Sequence, residues 1–370
     1  KIPAIEINTV GAGGGSIGWI DAGQALQVGP RSAGADPGPA CYGRGGDEPT
    51  VTDANVVLGR LNPTHLLAGE MAIDANLAKK VIQEKIATPL GLPLFEAAEG
   101  IVRVINAVMA KAIRRLSVEK GYDPREFTLV SFGGGGPIHA AELAADLQIP
   151  RILVPPFPGV SSALGLLTAD FRHDYVRTVL WREKEATLKQ LLQVINEMKV
   201  LALTQMENEG LNGSEIIFVA GLDMRYQGQG FSLSVSFNVE DLSIWKNLSP
   251  LIQIFHQNHQ ATYGYHDEKT LTEIVNIRLA SVGKLPKPHP AKFEEKQVDL
   301  NSTIKESRKV YFAGRFKETI IYDRSKLGWG AIIKGPAIIE QLDSTTLILP
   351  GQKGEIDKLN NLIISLEDVK

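Results

Sequence analysis

FTLVSFGGGGPIHAAELAADLQIPRILVPPFP, residues 127–158, is the stretch that decides how the chain is read. An apolar run, 127–132, leads into four glycines, Gly133, Gly134, Gly135 and Gly136. Pro137, Ile138 and His139 follow, then an alanine-rich segment at 140–147 and a second apolar run at 152–154. That order predicts strand, glycine turn, helix, strand. Glycines let a backbone approach a ligand with no Cβ in the way, and the free N–H groups of a helix start favour an anionic or polar ligand. Pro137 suits the first helical turn, where a missing N–H costs nothing. The working expectation is a ligand-binding turn, with a nucleotide as the ligand class. The same residues would also make a tight turn where helix and strand pack closely, and the stretch alone leaves both readings open.

Composition sets the frame around this turn. At 370 residues the chain exceeds one ordinary core, so two or three domains are expected. A hydrophobic content of 44% with 22% charged residues fits a globular protein and not a disordered one. A net charge of −3 gives no electrostatic case for binding nucleic acid or an acidic membrane. No apolar run reaches the length of a membrane span. The single cysteine, Cys41, allows no internal disulfide and fits a reducing, cytoplasmic setting. The opening Lys1-Ile2-Pro3 carries no Met and no signal pattern, from which a piece of something longer is expected.

Along the chain, 4–10 alternates and predicts a strand running into Gly11-Ala12-Gly13-Gly14-Gly15-Ser16. This is not a dinucleotide fingerprint: position 16 is Ser, and 17–28 predicts two short strands around Asp21-Ala22-Gly23 where a helix is needed. A glycine loop between strands can wrap a phosphate or press on another backbone segment. The Gly- and Pro-dense stretch 29–49 predicts a long loop carrying Arg31, Asp36, Cys41, Tyr42 and Arg44. It either lines a site or covers a sheet edge. A helix is expected from Thr52 or Asp53 as N-cap, another over 74–86. A long one over 94–120 has a core stripe of Phe95, Ala98, Val102, Ile105, Met109, Ala112 and Leu116, closed by Gly121. Beyond 160 the pattern predicts helix 161–169, strand 175–181, helix 184–211, a strand pair 216–226 and 231–237, helix 241–263 and strand 273–283. Residues 286–308 are read as a linker, followed by short strands of a β-rich terminal module. The domains so drawn are 1–178, 179–285 and 309–370.

Few side chains declare chemistry. His256 and His259, near His266 and Asp267, lack an added carboxylate on one face and are read as a solvated helix face, with no metal site. His139 either contacts a ligand or is an ordinary buried or capping histidine. Cys41 has no identifiable base and is read as a small core residue. Neither a serine elbow nor a phosphate-binding P-loop appears. Arg31, Asp36 and Asp53 are candidates by position alone, and no catalytic residue is assigned.

Several strings then carry a family resemblance: TVGAGGGSIGWID (9–21), VGPRSAGADPGPACYGRGGDEPTVTDANVVLGRL (28–61), SFGGGGPIHA (131–140), VPPFPGVSSALGLLTAD (154–170), DMRYQGQGFSLSV (223–235) and GPAIIEQLDSTTLILPG (335–351). Together they resemble the hydantoinase A / 5-oxoprolinase family, which includes subunits of acetone and acetophenone carboxylases. The resemblance implies an α/β fold: part of a domain of the acetate kinase, sugar kinase, Hsp70 and actin kind, with an α+β layer and a small β-rich C-terminal module. It implies ATP and Mg²⁺ as cofactors and ATP-driven opening of a cyclic amide as the reaction. Gly133, Gly134, Gly135 and Gly136 would contact the nucleotide, with Gly13, Gly14, Gly15 and Ser16 as a second loop. Many members carry Ala where this chain has Gly135, a mild departure. Members also begin with a half bearing Asp-Gly-Gly-Thr-type phosphate loops, and no such string occurs here. The resemblance therefore implies the C-terminal part of a subunit, inactive alone, with most phosphate and Mg²⁺ ligands elsewhere. A B-type subunit or domain is the implied partner; a carboxylase role, a scaffold role and a homo-oligomeric state stay open.

Overall fold

A computed structural model of the chain describes residues 7–211, 216–287 and 299–366. They form two compact units, 165–287 and 7–164 together with 299–366. Of the strand expected at 4–10, residues 4–6 lie outside the described residues, and 7–10 form no regular structure.

The larger unit opens with an antiparallel hairpin, β1 (Ser16–Ile20) and β2 (Leu26–Ser32). Asp21 closes its turn by accepting from the amides of Gly23 and Ala25. Next is α1 (Val51–Val57), whose N-cap is Thr50 and not Thr52 or Asp53. Thr50 Oγ1 accepts from the Asp53 amide at 3.2 Å, while Asp53 Oδ2 accepts from the Thr50 amide at 2.9 Å, a capping box. A two-residue ladder joins β3 (His65–Leu66) and β4 (Met71–Ala72). Asp74 caps α2 (Ala75–Ile82), which passes through a π turn, Gln83–Ala87, into α3 (Thr88–Leu90). The long helix α4 (Leu94–Leu116) buries Ala98, Ile101, Val102 and Ile105 completely, and a left-handed Gly121 ends the 3-10 turn beyond it. Then come β5 (Thr128–Val130), α5 (Gly136–Leu147), β6 (Arg151–Val154) and α6 (Ser161–Thr168). The parallel pair β5–β6, joined by α5, is the strand–turn–helix–strand unit read from residues 127–158.

The smaller unit is one antiparallel sheet with two helices. Its elements are β7 (Phe171–Arg182), α7 (Leu188–Asn208), β8 (Ile216–Tyr226), β9 (Leu233–Asn238), α8 (Ser249–Tyr263) and β10 (Thr272–Gly283), with strand order β7-β10-β8-β9. Leu191, Ile195 and Met198 of α7 share a core with Leu222 and Met224 of β8 and Phe255 of α8. His259 is no solvated face: it is buried, ringed by Tyr226, Tyr263 and Tyr265, with Nδ1 2.7 Å from the Tyr265 carbonyl oxygen. His256 Nδ1 lies 2.7 Å from the Tyr226 hydroxyl.

The chain then returns to the larger unit. Of the stretch expected as a linker, 288–298 lies outside the described residues, and a strand already begins at Ile304. The elements are β11 (Ile304–Phe312), β12 (Arg315–Asp323), β13 (Ile332–Lys334), β14 (Ala337–Glu340), β15 (Thr345–Ile348), β16 (Gln352–Ile356) and β17 (Leu362–Leu366). The strands expected as a separate terminal module are instead integral to this unit. β17 pairs with β6, giving a five-stranded sheet in the order β13-β16-β17-β6-β5. β11-β12-β14-β15 forms a second sheet. The physical reason is an edge: without β17, β6 would present an unpaired row of backbone groups. Ala140, Ala141 and Ala144 of α5 share one core with Ile152, Val154, Ile339, Ile348 and Ile364.

Candidate functional site

A cleft of about 660 Å³ opens within the larger unit. Both predicted glycine loops reach it. Gly14 and Gly15 line it from the loop before β1, and Gly134 and Gly135 from the turn between β5 and α5.

The second turn owes its shape to its glycines. Gly133 takes a left-handed φ of +83°, where a side chain is strained. Its amide donates to the Pro158 carbonyl at 2.7 Å, and Ser344 Oγ donates to the Gly134 carbonyl at 3.1 Å. Among the described residues, the amides of Gly134, Gly135, Gly136 and Ile138 donate to nothing. Gly135 is the N-cap of α5 and has no side-chain cap, so the positive end of a twelve-residue helix is left open. A Cβ placed on Gly135 would meet nothing within 4 Å. The first loop is held from behind. Thr52 donates to the Gly14 carbonyl through its amide at 2.8 Å and its hydroxyl at 3.0 Å, and a Cβ on Gly14 would fall 2.7 Å from Thr52 Oγ1. Ser16 Oγ accepts from the Gly13 amide at 3.0 Å, so Ser16 shapes the loop and does not line the cleft. The amides of Gly14 and Gly15 have no acceptor among the described residues.

A third wall was not foreseen. Glu340 at the end of β14, and Gln341, Leu342, Asp343 and Ser344 in the connection to β15, line the same cleft. Asp343 Oδ2 accepts from the Gly159 amide at 2.7 Å, which fixes this hairpin against the segment after β6. Burial alone would raise the Glu340 carboxyl, but Lys305 at 2.7 Å and Arg308 at 2.9 Å outweigh it and hold it below the usual carboxylate range. The signal for this wall was a short, mostly polar run, Gln341 to Ser344, between the isoleucine-rich β14 and the threonine- and leucine-bearing β15. It marks a turn, but not which surface the turn meets.

α1 and α5 place two more polar side chains in the cleft, Asn55 and His139, both nearly sealed at 2% and 3% exposure. His139 Nδ1 lies 2.8 Å from Asn106 Oδ1, and burial pushes the ring down to about 4. The other sequence candidates lie elsewhere. Arg31 and Asp36 are exposed and do not line the cleft. Asp53 is fully buried in structural work, accepting from the amides of Ala40 at 3.1 Å and Cys41 at 2.8 Å. Cys41 is a core residue whose thiol is pushed far up by burial and then by Asp53. Among the described residues, no three His, Cys, Asp or Glu side chains gather to hold a metal ion, and no helix is long and apolar enough to cross a membrane.

The arrangement is thus a mixed α/β unit in which two glycine loops, far apart in sequence, line one cleft. Comparison with known proteins gives this architecture a family. The model for hydantoinase/oxoprolinase matches residues 1–175, and that for the hydantoinase/oxoprolinase C-terminal domain matches 180–368. The chain belongs to the hydantoinase/oxoprolinase family. An uncharacterized protein of Methanocaldococcus jannaschii is 42% identical over 98% of this chain and 51% of its own length. The caprolactamase subunit alpha of Pseudomonas jessenii is 35% identical over 96% of this chain and 52% of its own. The solved ATP-dependent caprolactamase of that organism superimposes with a TM-score of 0.74 at 34% identity, covering 99% of this chain and 53% of that one. A nucleotide-free acetone carboxylase, from a study of ATP-dependent acetone carboxylation, gives 0.87 at 25% identity, covering 96% of this chain and 52% of that one. The chain spans about half the length of these relatives.

Proposed function

We propose that the cleft is this chain's share of an ATP site, and that the chain is the C-terminal part of an ATP-dependent enzyme that opens cyclic amides. The observation that carries the reading is the meeting of Gly14 and Gly15 with Gly134 and Gly135 at one hollow, with unbonded amides on both loops. Such amides, beside the open start of α5, suit phosphate oxygens. Two glycine loops facing one hollow are also what an acetate kinase, sugar kinase, Hsp70 or actin-type fold presents to its nucleotide, and we take the larger unit as part of such a fold.

This half of the site supplies dipoles and little charge. Lys305, the cation of the cleft, is held by Glu340. Neutralisation of the phosphates, through Mg²⁺ and further loops, is assigned to a longer protein's other half. ATP would phosphorylate the amide oxygen, making an inert lactam carbon open to attack by water, with positioning and charge stabilisation as the protein's contribution. A B-type partner subunit is the expected source of the hydrolytic groups.

A second reading, a subunit of an ATP-dependent ketone carboxylase, is favoured by the closer superposition on acetone carboxylase. One assay on the full-length protein with its partner separates the two. ADP formation driven by caprolactam or 5-oxoproline supports the hydrolase; ADP formation requiring both bicarbonate and a ketone supports the carboxylase. Calorimetric titration of the full-length protein tests the shared premise. Gly134→Val should weaken ADP binding by at least about tenfold, the worth of one lost phosphate contact. Wild-type protein that binds neither ADP nor ATP overturns both readings.

A further inference from the structure

We propose that His139 is a ligand-binding residue of the cleft, its Nε2 accepting a hydrogen bond from a neutral donor, a hydroxyl or an amide N–H, with Asn55 Oδ1 as a second acceptor. This rests on the cleft being a small-molecule site, as proposed above.

The argument is a chain of forced donor and acceptor roles. Arg60 can only donate, and its guanidinium grips both oxygens of Glu142, at 2.7 and 3.1 Å. The Glu142 carboxylate can only accept, so the Asn106 group 2.6 Å from its Oε2 is the NH₂. That leaves Asn106 Oδ1 facing His139 Nδ1 at 2.8 Å, and an amide oxygen only accepts. Nδ1 therefore carries the hydrogen, and in the neutral ring Nε2 is a bare lone pair. Burial keeps the ring neutral, since it lowers the pKa to about 4.

Among the described residues, Nε2 makes no hydrogen bond, although His139 is only 3% exposed and lines the cleft. Asn55 adds a second acceptor, this one fully sealed. Its Nδ2 donates to the Val51 carbonyl at 3.0 Å, which fixes the amide's orientation, and its Oδ1 is buried with no donor. Buried polar atoms are rarely left unmatched, because each costs the desolvation of that group. Asn55 Oδ1 is sealed without a donor, whereas Nε2 is not among the sealed unpaired atoms and stays open to the solvent side; two acceptors on residues of one cleft, with no protein donor for either among the described residues, suit a ligand that donates. They also repel phosphate oxygens, so they divide the site: anionic groups lie against the glycine amides, donor groups against His139 and Asn55. Arg60, Glu142 and Asn106 are positioning residues that fix the tautomer.

Two sources share this donor chemistry, a ribose hydroxyl of the nucleotide and the N–H of a cyclic amide. The test is ¹⁵N-histidine NMR on the full-length protein, reading the two ring nitrogens of His139, with binding of each probe followed by calorimetry. The free protein should show Nδ1 protonated and Nε2 bare. On saturation, the Nε2 resonance should move upfield as it accepts a hydrogen bond. If ribose is the source, ADP moves it and 2′-deoxy- or 3′-deoxy-ADP does not. If the amide is the source, caprolactam moves it and N-methylcaprolactam does not. Asn106→Ala should release the tautomer lock and weaken the responsive ligand by about tenfold, one hydrogen bond's worth. An unprotonated Nδ1 in the free protein overturns the proposal, as does an Nε2 that stays fixed while ADP and caprolactam bind. If neither ligand binds, the cleft reading falls first and takes this one with it.

Discussion

His139 and Glu340 are both buried beside the cleft, yet burial leaves them in opposite charge states. The histidine faces an amide oxygen and loses its proton; the glutamate faces Lys305 and Arg308 and keeps its charge. The difference sets a pH signature. His139 goes from an ordinary 6.5 to about 4 on folding, so between those values the unfolded chain holds the extra proton. Stability from this group is therefore complete above about pH 6.5 and is lost as pH falls toward 4, by on the order of 3 kcal/mol. Glu340, also lowered, loses its contribution as pH falls from the ordinary glutamate value of 4.5 toward its depressed folded value. Urea unfolding of wild type and His139→Gln should diverge in slope across pH 7 to 4 and run parallel above it. Equal slopes throughout would mean that the ring is not held neutral. At this scale the sequence was half legible. His139 was visible as a residue after four glycines, but Asn106, which decides its tautomer, sits mid-helix in α4 with no local mark.

Among the elements, the turn before α5 separates two kinds of glycine. Gly133 is needed for its backbone, at φ +83°, whereas Gly135 has φ −98° and open space where a Cβ would go. Gly135→Ala should leave the melting temperature within error of wild type. Gly133→Val should cost about 2 kcal/mol, since a β-branched residue is forced into the left-handed region. Thermal denaturation of the two variants checks this; an equal loss in both would mean that the turn is chosen for space and not for conformation. Apolar spacing made α4 readable, and the glycine turn followed by an alanine-rich segment did the same for α5. Spacing failed at 241–263, expected as one helix. A 3-10 turn ends at Ser243, and α8 starts only at Ser249 with Pro250 in its first turn. Proline has no N–H to give and blocks the preceding turn, so it begins helices where apolar spacing suggests continuity.

For the whole molecule, the decisive fact is that the larger unit is made from two separate stretches of chain. Leu362 pairs with Val154 and Ser365 with Arg151, and Leu362 and Ile364 are buried in the core around α5. Ending the chain before Leu362 should remove roughly 5 kcal/mol or more, two core side chains and a strand, from a typical margin of about 5–15. The expected result is insoluble or molten protein, seen in expression yield and near-UV circular dichroism; a truncated chain with native melting would refute the assignment. The sequence showed each of these strands but not their partners, because pairing across such a separation leaves no trace in local pattern. For the same reason nothing in the local pattern of Glu340 to Ser344 tells that this hairpin walls the cleft.

The β6–β17 pairing also bears on synthesis. As the chain leaves the ribosome, β6 emerges long before its neighbour, and the whole of the smaller unit must be translated in between. Through that interval its free margin is open to misjoining with other nascent strands. Slowing elongation after residue 164 should therefore lower the yield of native protein, and a holding chaperone should restore it.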